Sequence, residues 1–359
     1  MSTQIPLRKL CPDCSTAPDL VPKSNRRGFL QGVVAAVAAT AVPSTIWSAS
    51  DAGQPSAKES SETAVKALYA TLSEKQKQAI CFPWDHQVQG RGLLRTHVSN
   101  NWQITKPTVD SPFYTKEQKT ILYDIFQGLF QPEWRAKIQK QLKDDTQGRP
   151  WGAAQSVALF GTPGEGKFEF VMTGRHMTIR ADGNSENHVA LGGPIFHGHA
   201  AGDFNEKPEH PGNVFWHQAV AANKVYQMLS GKQQQQALVA KSPSESAVDF
   251  HGPAGEFPGL PCTEMTPDQH QELKRVLDLL IEPYRQVDRD EIMTCLEKQG
   301  GLKKCSLAFY QDGDVGDDKV WDNWRLEGPS FVWYYRGDPH VHIWINVADS
   351  SDLKLNARG

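Results

Sequence analysis

The segment His340-Val341-His342-Ile343-Trp344-Ile345-Asn346-Val347 carries two imidazoles separated by one residue. Its odd positions are all aliphatic. A strand sends alternate side chains to opposite faces, so Val341, Ile343, Ile345 and Val347 are expected to face the core. His340, His342, Trp344 and Asn346 then share the other face, with the two imidazoles starting roughly 6.5–7 Å apart at the backbone. That spacing lets both converge on one metal ion. A second pair, His197-Gly198-His199, follows Gly192-Gly193-Pro194 and is expected in a loop, and His176 is expected on a strand of the same block. A lone histidine is more often a surface or hydrogen-bonded core residue than a ligand. Two such pairs plus a strand histidine make a metal centre the sharper expectation: His340 and His342, joined by His176 and by His197 or His199. Imidazole suits copper, zinc and iron alike, so one transition metal ion is expected and its identity stays open. Arg175, beside His176, is the candidate to steer an anionic substrate or to stabilise developing negative charge.

Other motifs fail on their chemistry. Gly161-Thr162-Pro163-Gly164-Glu165-Gly166-Lys167 has phosphate-loop spacing, but Phe168 stands where a hydroxyl must bind magnesium. The residues after it alternate like a strand, so a hairpin turn is expected. The acidic loop at Asp312, Asp314, Asp317 and Asp318 departs from the calcium-loop order at Gly316 and Asp317 and reads as a solvated turn.

The elements that must position these residues fall in separate runs. Helical periodicity covers 61–80, 116–129, a short helix opened by Pro132, 214–240, and a helix from Thr266-Pro267 that buries Leu273, Val276, Leu277 and Leu280. Thr115 with Gln118, and Thr266 with Gln269, have the spacing of capping boxes. Period-two patterning covers 155–191 and 303–347. The expected class is α+β: a mostly antiparallel sheet with segregated helical blocks. No repeat of 20–50 residues is visible, which disfavours solenoids and propellers.

Ser24-Asn25-Arg26-Arg27-Gly28-Phe29-Leu30 has the form of a twin-arginine export motif, followed by an uncharged stretch ending in Ser48-Ala49-Ser50. The apolar part is interrupted at Pro43, too short for the ~20 residues of a span, so no stable membrane anchor is expected. The expected division is a signal peptide at 1–50 and one domain at 51–359, periplasmic or secreted after passage through the twin-arginine export machinery. The chain carries 38 basic and 41 acidic residues. Without residues 1–50 it keeps 33 and 39, a balance that argues against a nucleic-acid partner. Cys11 and Cys14 precede the arginine pair, leaving Cys81, Cys262, Cys295 and Cys305. An oxidising compartment favours pairing, and Cys295 with Cys305, flanking Gly300-Gly301, is the favoured bridge.

Gly174-Arg175-His176, Gly193-Pro194-Ile195-Phe196-His197-Gly198, Trp324-Arg325-Leu326-Glu327-Gly328-Pro329 and His340-Val341-His342 together resemble a bacterial and fungal family catalogued as domain of unknown function 3500. The resemblance runs over about residues 60–350. It departs at Arg175, where the family usually shows the first histidine of Gly-His-His. No activity comes with it, so it supports the domain boundary and the histidine positions. Two functions remain as expectations. One is a metal-dependent enzyme acting on a small molecule, an oxidoreductase before a hydrolase. The other is a non-catalytic ligand or carbohydrate binder that stacks its ligand on Trp321, Trp324, Trp333, Tyr334 and Tyr335.

Overall fold

Four serine or threonine caps punctuate the helices. Ser73, Thr115, Ser230 and Thr266 each accept from the N–H three residues on, and the glutamine there reaches back to the cap. The structure is a computed structural model describing residues 57–353, apart from 147, 184, 200–213, 315–318 and 339. The expected signal peptide, Cys11, Cys14, Asp317 and Asp318 lie outside the described residues. The helices are α1 (Ala57–Thr71), α2 (Glu74–Ile80), α3 (Lys116–Gly128), α4 (Pro132–Asp145), α5 (Trp216–Met228), α6 (Gly231–Ala237), α7 (Pro267–Ile281) and α8 (Gln286–Lys298). The Ser73 and Ser230 caps divide the expected helical stretches at 61–80 and 214–240 into two helices each. Among the described residues no helix is long and apolar enough to cross a membrane.

Thirteen strands are described: β1 (Cys81–Phe82), β2 (Gln87–Val88), β3 (Gly92–Leu93), β4 (Gln155–Gly161), β5 (Phe168–Gly174), β6 (Met177–Ala181), β7 (Ile195–His199), β8 (Leu238–Val239), β9 (Leu260–Pro261), β10 (Ser306–Tyr310), β11 (Asn323–Gly328), β12 (Phe331–Arg336) and β13 (Val341–Val347). Eleven form one sheet in the order β1-β4-β5-β6-β7-β13-β12-β11-β10-β8, with β9 also on β10, while β2 and β3 pair apart. Only β1 with β4 and β8 with β10 run parallel. The class is α+β with a mostly antiparallel sheet, as the segregated blocks imply. Gly161 pairs with Phe168, so the glycine-rich segment is the β4–β5 turn and no phosphate loop.

The sheet has two differently covered faces. Val341, Ile343, Ile345 and Val347 of β13 join the helix-side core with Leu122, Trp134, Leu273 and Leu277. Trp344, Phe196, Tyr334 and Val248 pack on the other face, beneath irregular chain. Alternation along β13 thus runs as its aliphatic spacing requires. The expected aromatic face is not presented to solvent. Trp324, Trp333 and Tyr335 are fully buried in the helix-side core, Tyr334 is buried on the other face as its place between Trp333 and Tyr335 requires, and Trp321 is half-buried against the helix-side core.

One arrangement is built twice. Two helices lead to a short strand, then a capped helix, a further helix and a four-strand meander. This describes α1, α2, β1, α3, α4 and β4–β7, and again α5, α6, β8, α7, α8 and β10–β13. The details match. The Gln76 amide donates to Gln118 Oε1 (2.8 Å) and to Phe113 O (2.7 Å), and Gln118 donates to Thr71 O (2.9 Å). In the second half Gln233 donates to Gln269 Oε1 (3.1 Å) and to Glu264 O (2.8 Å), and Gln269 to Met228 O (2.9 Å). The two halves meet where β7 pairs with β13.

Candidate metal centre

His340 and His342 project from β13 and its approach, on the face opposite the aliphatic positions. His176 arrives differently from expectation. It is the second residue of a two-residue turn between β5 and β6, not a strand residue, since Gly174 pairs directly with Met177. Its φ of 53° lies in the left-handed region, which costs a non-glycine residue of order 1–3 kcal/mol. Backbone bonds on both sides hold it there: its N–H donates to Asn100 O (2.9 Å), and Gly198 N–H donates to its carbonyl (3.2 Å). The turn thereby aims the ring at β13.

The three imidazoles form a group whose potential ligand atoms all lie within 4.8 Å of one another, and all three residues are buried. His176 Nε2 and His340 Nε2 are 3.0 Å apart. Two nitrogens bound tetrahedrally to one ion at ~2.0–2.1 Å would stand about 3.3–3.4 Å apart, so this pair lies near the separation that shared binding would need. Without an ion, a single N–H···N bond spans the gap.

Two buried carboxylates stand against the Nδ1 atoms of two of the rings. Asp145 Oδ2 sits 3.0 Å from His176 Nδ1. Glu245 Oε1 is bonded to His342 Nδ1. An ionised carboxylate only accepts, so His342 Nδ1 carries the proton and its Nε2 lone pair is left for the site. Asp145, at ion-pair distance, favours the same tautomer in His176. This is the carboxylate–histidine–metal pattern that orients a ligand and raises its basicity. Glu245 is itself held by Arg336 Nη1 (2.7 Å to Oε2) and by Trp344 Nε1 (3.3 Å to Oε1). Asp145 Oδ2 accepts from Gln141 Nε2 at 3.2 Å, and the same amide donates to Gly198 O, tying α4 to β7. Burial holds His342 and His340 well below the ordinary histidine range, and neighbouring imidazole and Arg336 charges push further down. Both rings are neutral at ordinary pH, which is the form that binds metal.

Gly198 is required for the fit. A Cβ there would stand 2.5 Å from Val341 O and 3.1 Å from His342 Cδ2.

The structure does not bring His197 or His199 into the group. Both lie on β7, not in a loop, opposite Ile343 and Val341, and therefore on the helix side of the sheet. His197 stacks near Phe215 (4.6 Å between ring centroids) and meets Tyr284 OH at 3.3 Å. Burial drives its pKa down to about 3. His199 is buried close enough to Asp145 for that charge to raise its lowered pKa in part. Arg175 stands at the rim of the site. Its Nε donates to Asp145 O at 3.1 Å, leaving the terminal nitrogens without a bond among the described residues.

The partners that sequence reasoning missed are Asp145, Glu245 and Arg336. Asp145 had one available signal: a carboxylate in the last turn of a helix opposes the macrodipole and calls for a compensating partner. Glu245, inside Ser242-Pro243-Ser244-Glu245-Ser246, carried none.

Fold and site define an α+β protein whose duplicated halves share one buried three-histidine group able to hold a metal ion. Among the described residues the group occurs once: the turn that presents His176 is matched in the second half by Pro329-Ser330, which carries no imidazole. The chain belongs to the family described as protein of unknown function (DUF3500), whose model matches residues 54–344. No curated protein and no solved structure matches the chain.

Proposed function

We propose that this protein is a metal-dependent enzyme in which His176, His340 and His342 hold one transition metal ion, and that it is an oxidoreductase before a hydrolase. The observation that carries the reading is the pair of carboxylate-oriented imidazoles, Asp145–His176 and Glu245–His342, converging with His340. Three protein ligands leave a position open, as catalytic sites do and closed structural sites do not. A redox-active ion supplies electron transfer to a substrate bound at that position. Both carboxylates beside the group are engaged on imidazoles, so neither is left as a general base, which favours electron transfer over hydrolysis. Arg175, whose terminal nitrogens make no bond among the described residues, binds an anionic group of a small substrate at the rim. Arg336 holds Glu245 in place and balances its charge. The arginine pair at Arg26-Arg27 supports export, already folded and metal-loaded, by the twin-arginine machinery to the periplasm or beyond.

Elemental analysis of the full chain and of His342→Ala tests the proposal. One equivalent of copper or iron is expected in the parent, lost in the variant with the fold kept, because Val341 and Ile343 point away from the site. Zinc alone would sink the oxidoreductase reading. Full occupancy in the variant would remove His342 as a ligand, and collapse of the fold would make the metal structural.

A further inference from the structure

Cys262 and Cys305 lie at the end of the β9–β10 ladder. Leu260 pairs with Leu307 and Pro261 with Ser306, so the antiparallel count sets Cys262 directly opposite Cys305. The Cys262 N–H donates to Cys305 O at 2.8 Å, which extends the ladder to this pair. Directly opposed residues keep their Cα atoms about 4.5–5.5 Å apart with side chains on one face. Disulfides span about 4.4–6.8 Å between Cα atoms. Both residues belong to the helix-side core, and both are buried. The other two thiols lie elsewhere. Cys295 Sγ faces His188 O at 4.0 Å from α8, and Cys81 belongs to β1 at the far edge of the sheet. The expected Cys295–Cys305 bridge is absent, and none of the four cysteines is in a disulfide; Cys305 Sγ instead lies 3.8 Å from Gly301 O and 3.5 Å from Gln299 Nε2.

We propose that Cys262 and Cys305 are a redox-modifiable pair that closes to a disulfide when the protein meets an oxidant of the disulfide class. One thiolate attacks the oxidant's disulfide, giving a mixed disulfide and releasing one thiol. The second cysteine then attacks the mixed disulfide through its thiolate and releases the second thiol. Two electrons and two protons pass to the oxidant, and one S–S bond forms in the protein. Burial pushes both thiols up, Cys305 to about 12, so the reaction is slow until the ladder end opens. Closure would clamp together the two ends of the segment that contains α7 and α8. This inference is independent of the metal centre.

The test incubates the full chain with oxidised glutathione, alkylates remaining thiols and maps the linked peptides by mass spectrometry. The expected result is a peptide containing Cys262 joined to one containing Cys305, with the loss of two hydrogens. The same link should persist in Cys295→Ala and vanish in Cys305→Ala. Should Cys305→Ala fail to fold, the parent and Cys295→Ala maps decide alone. A link from Cys305 to Cys295, glutathione retained on either cysteine, or both thiols still alkylated after oxidation through an unfolding cycle would each overturn the proposal.

Discussion

Replacing Asp145 by asparagine separates the orientation of His176 from its electrostatic support. Asp145 Oδ2 stands 3.0 Å from His176 Nδ1 and accepts from Gln141 Nε2 at 3.2 Å. An asparagine carbonyl oxygen in that place keeps the Gln141 hydrogen bond and the approach to His176 Nδ1 and loses the charge. The His176 ring therefore keeps its tautomer while its Nε2 becomes a weaker donor to metal. Loss of such a supporting partner typically lowers metal affinity about 10–100-fold. That corresponds to about 1.4–2.8 kcal/mol. The metal-free fold should change by less than about 1 kcal/mol. Removing a negative charge from the last turn of α4 relieves roughly 0.3–1 kcal/mol of dipole repulsion, which offsets the weaker neutral hydrogen bond. Competition against a chelator of known affinity measures the first quantity, and denaturant unfolding of the metal-free protein measures the second. An unchanged dissociation constant would refute the argument. So would an equal fall in metal affinity and metal-free stability, since Asp145 would then merely hold the fold together.

Two further outcomes follow from the same reasoning. His197 is buried with its pKa lowered from 6.5 to about 3, so the unfolded chain takes up its proton first. The folded state should lose about 1.4 kcal/mol per pH unit from this group as pH falls from 6.5 towards 3. The stability gap between parent and His197→Gln, measured by urea unfolding, should therefore narrow as pH drops, and a constant gap would count against it. Export by the twin-arginine route predicts that lysine at both Arg26 and Arg27 leaves precursor in the cytoplasm, seen by fractionation and immunoblotting, whereas unchanged export would remove that proposal.

Local rules made parts of this molecule legible. The aliphatic spacing of Val341, Ile343, Ile345 and Val347 located the core face of β13, and hence the shared face of His340 and His342. Thr115 with Gln118 and Thr266 with Gln269 marked helix starts because both halves of a capping box lie three residues apart. What needed tertiary information was not legible. Whether His197 and His199 share a face with His342 depends on the β7–β13 register, and pairing opposite Ile343 and Val341 sends them away. The left-handed turn at His176 depends on Asn100 and Gly198, which are remote in sequence or fold back through another strand. Glu245 reaches His342 from irregular chain that has no periodicity to read. The duplication escaped because its period far exceeds a supersecondary repeat and its echoes are short, such as Leu72-Ser73-Glu74-Lys75-Gln76 beside Leu229-Ser230-Gly231-Lys232-Gln233.

The seam between β7 and β13 has a consequence for how the protein is made. His176 belongs to the first half and His340 to the second, 164 residues later. Each half can form its meander from neighbouring strands, at the low entropic cost of short loops. The histidine group exists only after the two halves have docked, which is the contact of longest reach in the sheet and the slow kind to form. An ion therefore cannot template the early steps of folding. Any ion the group holds would arrive last, and its capture would report that the chain is finished.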